Sequence, residues 1–412
     1  MLDKEEIEYK NTPLQNGEVL LTRTLFVCQE PPFPPASGTD LRNYGNATAA
    51  ATLGPVCVAS IRPPNSEAPP ADMNIRVASL TVAGERRGPL LGWRRANGES
   101  KIPRLALTRL KALIQDFRPD TIVVEGTPLL RLLDHLRPSV KQLILDMHNV
   151  ESDLARQVPR RKWRRPFSPD LRTLERKAAR TADRIWVCSE LDRKRLKTII
   201  AGSIPIDVVP NGIPRAEEML HALPPMPDST NGFPTMVFVG HLGYPPNVDA
   251  AERLARIILP RIRQALPTAK LILAGRSPNA AVQALSTLDG VTLVGNPHDV
   301  RPLLATAHLS VIPLTTGGGT RIKILEAIFS GVPVVATPLA AEGLDLVDGI
   351  DVLFSSTDQG LADLAIELCR DPGRMSSMRT RARETTWARF GPQAIREAVS
   401  LGLERFSVSE PL

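Results

Sequence analysis
Short, β-rich apolar runs alternate with helical sequence along most of the chain, and the alternation starts afresh a little past its middle. Runs at 24–28, 56–60, 121–124, 142–146, 184–188 and 207–209 make a first set; runs at 235–239, 271–274, 291–294, 309–312 and 332–335 make a second. Strands that read as unbroken apolar runs are buried on both faces, as in a parallel sheet covered by helices on either side. The pattern therefore predicts an α/β chain of two Rossmann-like domains in tandem. Right-handed crossovers put every strand-to-helix loop at one edge of each sheet. Two such edges facing one another form a cleft, and ligands are expected there.

Helical spacing is read from near Leu41, over 105–117, 129–136 and 170–181, and over 190–200 with Ser189 as N-cap. Residues 61–100, rich in Pro, Gly and Arg, read as irregular. The expected divisions are a tail over 1–22, a first domain over 23–212, a Pro-, Met- and Gly-rich linker over 213–232, a second domain over 233–390, and a terminal segment over 391–412.

A length of 412 residues exceeds one ordinary core and fits two. The sequence holds no apolar stretch of about 18 residues and no secretory pattern at its start, so the expected location is cytoplasmic. Four cysteines lie far apart without a C-x-x-C pair, which argues against zinc and disulfides; Cys28 and Cys188 read as small core residues. The net charge of +7 favours phosphates, nucleic acid or an anionic membrane face. Nucleic acid is set aside: aromatics are 4% of the chain and no recognition motif is present. The densest basic run, Arg160-Arg-Lys-Trp-Arg-Arg165, is either a solvated loop or a surface for anionic lipid or an acidic acceptor.

The richest chemistry lies in Thr315-Thr-Gly-Gly-Gly-Thr-Arg-Ile-Lys-Ile-Leu-Glu-Ala327, between the run ending at Ile312 and a helix expected to start near Thr320. Three glycines let backbone approach a ligand closely. A helix N-terminus offers free N–H groups and partial positive charge, and Arg321 and Lys323 add full charges at the same end. Glu326, a turn further on, is placed to accept hydrogen bonds from vicinal hydroxyls such as those of a ribose. Neither a P-loop nor the dinucleotide fingerprint is present.

The run G-G-G-T-R-I-K-I-L-E-A-I-F-S-G-V-P-V-V-A-T at 317–337 resembles the donor-site signature of retaining GT-B glycosyltransferases of the family 4 type (glycosyl transferases group 1). V-G-H-L-G-Y-P-P-N-V-D at 239–249, G-N-P-H-D-V-R at 295–301, P-N-G-I at 210–213 and L-D-M-H-N-V-E at 145–151 are similar to stretches of one bacterial subgroup, in the same order. The resemblance covers about residues 23–392. It implies a GT-B enzyme whose second domain holds a UDP- or GDP-sugar and whose last helix crosses back to the first domain.

Residue by residue, the resemblance puts Glu326 on the ribose hydroxyls, and Arg321, Lys323 and the amides of Gly318, Gly319 and Thr320 on the diphosphate. Gly240 and His241 also fall on the donor, with Arg276, Asp299 and Val300 near its base. In the first domain, P-A-S-G at 35–38 resembles the glycine loop against phosphates and acceptor, with Gly38 on the donor side and Ser37 on the acceptor side. His148 matches a histidine that contacts the transferred sugar; Asn149 and Glu151 fall on the acceptor side. For His148 a loop-capping role with Asp146 or Glu151 is the alternative, and Glu151 also suits a helix cap. Two departures stand out. Gly318 occupies the place of the first glutamate of E-x7-E, and His241 and Pro246 stand in the region where relatives carry an Arg and a Lys. No cofactor and no metal are expected, since Arg, Lys and helix amides neutralise the diphosphate. Acceptors implied are a sugar, a lipid-linked sugar or a small molecule, with envelope polysaccharide synthesis at the inner membrane face as the setting. The alternatives are a sugar-nucleotide epimerase on the same scaffold and a non-catalytic nucleotide-sugar-binding protein.

Overall fold
The computed structural model describes residues 22–33, 35, 38–62, 74–81, 102–126, 129–157, 170–213, 223–227, 233–318 and 321–404. Two parallel sheets form, as the alternation requires. The first contains β1 (Thr24–Cys28), β2 (Val56–Ser60), β3 (Ile75–Ser79), β4 (Thr121–Glu125), β5 (Gln142–Met147), β6 (Arg184–Val187) and β7 (Ile206–Val208), in the order 3-2-1-4-5-6-7. Helices α1 (Gly38–Ala51), α2 (Arg104–Phe117), α3 (Leu130–Leu136), α4 (Glu151–Gln157), α5 (Leu171–Thr181) and α6 (Glu190–Lys197) belong to this half. The second sheet contains β8 (Thr235–Val239), β9 (Lys270–Gly275), β10 (Val291–Gly295), β11 (Leu309–Ile312), β12 (Val334–Ala336) and β13 (Leu353–Phe354), in the order 10-9-8-11-12-13. Around it lie α7 (Pro245–Arg253), α8 (Leu259–Ala265), α9 (Ala280–Leu285), α10 (Arg301–Ala305), α11 (Ile322–Phe329), α12 (Asp358–Arg370) and α13 (Pro372–Phe390).

Both sheets reverse their strand order beside their first strand, between β1 and β4 and between β8 and β11. Loops leaving those strands on opposite faces of a sheet open a crevice at its carboxyl edge. That crevice is where the glycine-bearing loops of both halves fall.

Three features differ from the sequence reading. Residues 75–79, inside the stretch read as irregular, form β3; as an edge strand it is half-exposed and shows no unbroken apolar run. The two-residue β13 is too short to leave a periodic signal. Helix α11 starts at Ile322, with Arg321 as its extended N-cap, rather than near Thr320. Other local readings stand: the Ser189 hydroxyl caps α6 by accepting from the Asp192 N–H, and all four cysteines are buried and free. Within the expected linker, the carbonyl of Pro224 accepts from Arg379, whose Nε also holds the Gly331 carbonyl, so this piece lies against the second half.

The last helix, α14 (Pro392–Leu403), returns to the first half and packs on α1. Its Ile395, Val399 and Leu403 join Phe26, Ala47 and Trp186 in one buried cluster. Arg184 donates to the carbonyls of Leu401, Gly402 and Glu404, satisfying acceptors that a helix C-terminus leaves open. At the head of the crossing, Trp387 of α13 stacks on Phe329 at 4.9 Å between ring centroids and Phe390 is buried, so both are packing anchors. Among the described residues no helix is long and apolar enough to cross a membrane.

A side chain at position 402 would collide with the fully buried Trp186, whose Nε1 lies 2.5 Å from where a Cβ would stand. Gly402→Ala is therefore expected to cost about 1–3 kcal/mol by overpacking, measured as a lower urea midpoint. An unchanged midpoint would show that α14 is not docked on Trp186 as described.

Candidate active site
A cavity of about 460 Å³ lies between the carboxyl edges of the two sheets. Residues on its walls come from both halves, and Gly38 at the start of α1 stands in van der Waals range of Ile322 at the start of α11, 3.8 Å from Gly38's would-be Cβ. Two helix N-termini thus meet across the cleft. Arg195 of α6 also bridges the halves, lying 3.3 Å from Asp153 and 2.9 Å from Glu342.

The first-half wall is built on a buried ion pair. Arg42, on the inner side of α1, is only 2% exposed and donates to both oxygens of Asp146 at the end of β5, the shortest contact being 2.5 Å. Its other nitrogen reaches the Val209 carbonyl at 2.6 Å and Asn211 Oδ1 at 3.0 Å, while Asn46 donates to Asp146 at 3.2 Å. Burial alone would raise the Asp146 carboxyl, but Arg42, with help from His148, outweighs it and brings the group down to about 2. His148 follows β5 and lines the cavity; its Nε2 is 3.5 Å from Asp146 Oδ2, an ion-pair distance without hydrogen-bond geometry. Behind this wall Glu125 accepts from Gln29 N at 2.8 Å and Asn43 Nδ2 at 3.1 Å, and burial pushes its carboxyl above the usual range.

The second-half wall depends on two glycines. Gly275 ends β9 at a φ of +150°, and a Cβ there would stand 1.7 Å from the Gly240 carbonyl oxygen, so only glycine fits. At Gly240, just after β8, a Cβ would lie 2.9 Å from Lys323 Nζ. The space so left is taken by that ammonium, which donates to Asn247 Oδ1 at 2.7 Å and sits 4.3 Å above the Phe238 ring. Burial and the neighbouring Arg321 push Lys323 down to about 7, against the pull of Glu326. The Arg321 guanidinium donates to the Gly318 carbonyl and lies against Gly317, whose φ of +143° again suits glycine. Burial lowers its pKa as well, yet a guanidinium stays charged at any ordinary pH.

Of the residues singled out in the sequence, Gly38, His148, Asn149, Gly240, His241, Arg276, Asp299, Val300, Gly318, Arg321, Lys323 and Glu326 all line this one cavity. Asp299 does so with its carboxylate already engaged by Arg301, 2.7 Å from its nearer guanidinium nitrogen. Arg276 reaches across the cleft to within 3.9 Å of Asp40. Glu151 does not line the cavity; in the first turn of α4 it accepts from Asn149 Nδ2 at 3.1 Å. Gly318 abuts Asn149, whose Oδ1 is 3.0 Å from the would-be Cβ, so a larger residue there would need Asn149 to give way. Ser37, Gly319 and Thr320 lie outside the described residues, as does the basic run at 160–165. Sequence reasoning missed Arg42 and Asn247. An arginine inside an Ala-rich helix gives no sign of its partner 104 residues away, whereas Asn247 stood in plain view after two prolines at a helix start.

Two tandem parallel sheets with a cation-rich cleft between their switch points define the GT-B fold. Residues 37–212 match the family described as glycosyl transferase 4-like domain, and residues 233–371 the family described as glycosyl transferases group 1. The chain is a GT-B glycosyltransferase. Among solved structures it is similar to sucrose-phosphate synthase from Thermosynechococcus elongatus, with a TM-score of 0.69 and 19% identity over 92% of this chain and 97% of that one. HepE of Anabaena, in complex with UDP and glucose, gives 0.63 and 17% over 93% and 99%. WaaG, a glycosyltransferase involved in lipopolysaccharide biosynthesis, gives 0.63 and 14% over 93% and 100%. No curated protein matches the chain by sequence.

The Arg42–Asp146 pair makes a pH-dependent prediction. Asp146 titrates lower in the folded chain than in the unfolded one, near 2 against an ordinary 3.8, so its contribution is full above about pH 5 and fades towards pH 2. Asp146→Asn strands a buried guanidinium and is expected to cost about 3–5 kcal/mol at pH 7. In urea titrations the gap between wild type and variant should narrow as pH falls from about 5 to 2. A gap that does not change with pH would contradict the pairing.

Proposed function
We propose that this enzyme transfers a hexosyl unit from a UDP- or GDP-sugar to an acceptor hydroxyl, with retention of anomeric configuration. The observation that carries the reading is the pair of adjacent cations, Arg321 and Lys323, on the cavity wall at the N-terminal end of α11. A diphosphate is the anion that matches two positive side chains and the open N–H groups of a helix start. HepE, which shares the fold, has been crystallised with UDP and with UDP-glucose, which supports the same ligand class here.

In this reading the bond from the anomeric carbon to the β-phosphate oxygen breaks, and the charge left on the diphosphate is met by Arg321, Lys323 and the first amides of α11. The acceptor oxygen bonds the anomeric carbon on the face being vacated, and its proton passes to the departing phosphate oxygen. Glu326 holds the ribose hydroxyls, and Arg276, Asp299 and Val300 flank the base. His148 orients the sugar, with Gly38, Gly240 and His241 close to the donor. Asn149, steadied by Glu151, and Ser37 face the acceptor. Neutralisation by protein cations makes a metal unnecessary. The buried acid Asp146 stands behind the lining with both oxygens held by Arg42, so it is not placed as the acid or base of an epimerase. A lipid-linked or polysaccharide acceptor at an anionic membrane face, met by the basic run at 160–165, completes the proposal.

Lys323→Ala and Glu326→Ala should each lower UDP or GDP affinity and sugar transfer by about tenfold or more, a loss of one charged hydrogen bond. Near-normal binding and transfer in both would rule the assignment out. Because a diphosphate favours the ammonium form of a lysine that titrates near 7 in the empty site, binding takes up a proton at higher pH. Calorimetric UDP affinity should then fall above about pH 7, approaching tenfold per unit, although the terminal phosphate (pKa about 6) is by then fully ionised. Constant affinity from pH 7 to 9 would exclude a neutral Lys323 in the empty site.

A further inference from the structure
Lys323 carries a flexible four-carbon stem, yet its Nζ is fixed at one point of the cavity wall. Its repulsive neighbour is Arg321, and its attractive one is Glu326, three residues on and on the same face of α11. Of the groups on other elements, His241 after β8 and Arg276 after β9 line the same cavity. Nothing in this set of charges would hold Nζ above Phe238; Arg321 would drive it away and Glu326 would draw it along the helix.

The holding group is Asn247. It is only 7% exposed, in the first turn of α7, and both ends of its amide are used. Nδ2 donates to the His241 carbonyl at 3.0 Å, which fixes the amide's orientation and turns Oδ1 towards Lys323 Nζ at 2.7 Å. Gly240 supplies the room, since Asn247 Nδ2 would lie 3.0 Å from a Cβ there. One of three Nζ–H bonds is thus assigned and one face of the ammonium rests on an aromatic ring, leaving the remainder for a ligand.

We propose that Asn247 is a positioning residue that clamps the Lys323 ammonium at the diphosphate position. The proposal rests on the donor-site reading above. It predicts that Asn247 acts on nucleotide binding only through Lys323. In calorimetry with UDP at pH 6.5, Asn247→Leu should weaken binding tenfold or more in the wild-type background and less than twofold in a Lys323→Met background. An equal loss in both backgrounds would overturn the clamp.

A second measurement needs no nucleotide. In NMR of protein labelled at lysine Cε, with the Lys323 signal identified by its loss in Lys323→Met, the titration midpoint should rise in Asn247→Asp and fall in Asn247→Leu, because the first adds a carboxylate beside the ammonium and the second removes its acceptor. Unchanged midpoints in both variants would reject the proposal whether or not UDP binds. Absence of UDP binding to the wild type, alongside shifted midpoints, would defeat the donor-site reading and leave the clamp standing.

Discussion
Two like charges, Arg321 and Lys323, are held together at the positive end of a helix, in a place where burial makes their repulsion costly. Such an arrangement is unfavourable until an anion arrives. Much of the second half is shaped to sustain it. Gly275 lets β8 and β9 close to within backbone contact, Gly240 leaves the space for an ammonium, and Asn247 and Phe238 hold it from two sides.

The facing wall follows the opposite rule. Arg42 is almost fully buried, but Asp146, Asn211 and the Val209 carbonyl engage all three of its guanidinium nitrogens. Its task is to tie α1 to the ends of β5 and β7 and so fix the loop that carries His148. The first half thus pairs its cation internally, whereas the second presents two on the cavity wall. Return of α14 to the first half, together with the Arg195 bridge to Glu342, keeps these unlike walls face to face. Ion pairs that are a quarter to a third exposed contribute little each, so the bridge adds little to holding the halves together.

Much of this was legible in the sequence for physical reasons. A parallel sheet buried on both faces has to be written as apolar runs, so β1, β4, β5, β8 and β11 stood out, while half-exposed β3 and two-residue β13 did not. Glycines followed by cations at 317–323 pointed to the stretch that carries Gly317, Gly318, Arg321 and Lys323 on the cavity wall. Helix α11 starts at Ile322, two residues past the start read from the sequence, because the ends of an element leave a weaker signal than the periodic pattern inside it. Arg42 and its partners could not be read at all: the pairing is a tertiary fact, spanning 104 residues to Asp146 and 169 to Asn211. Asn247 could have been noticed, but its role depends on Lys323, 76 residues away on another helix.

The role proposed for Arg321 and Lys323, at the start of α11, is to hold a diphosphate. A crystal structure of the enzyme soaked with UDP tests it most directly. The account predicts phosphate oxygens within hydrogen-bond distance of Lys323 Nζ and the Arg321 guanidinium, with the ribose beside Glu326. Nucleotide bound elsewhere in the cleft, with both cations still facing empty solvent, would contradict it.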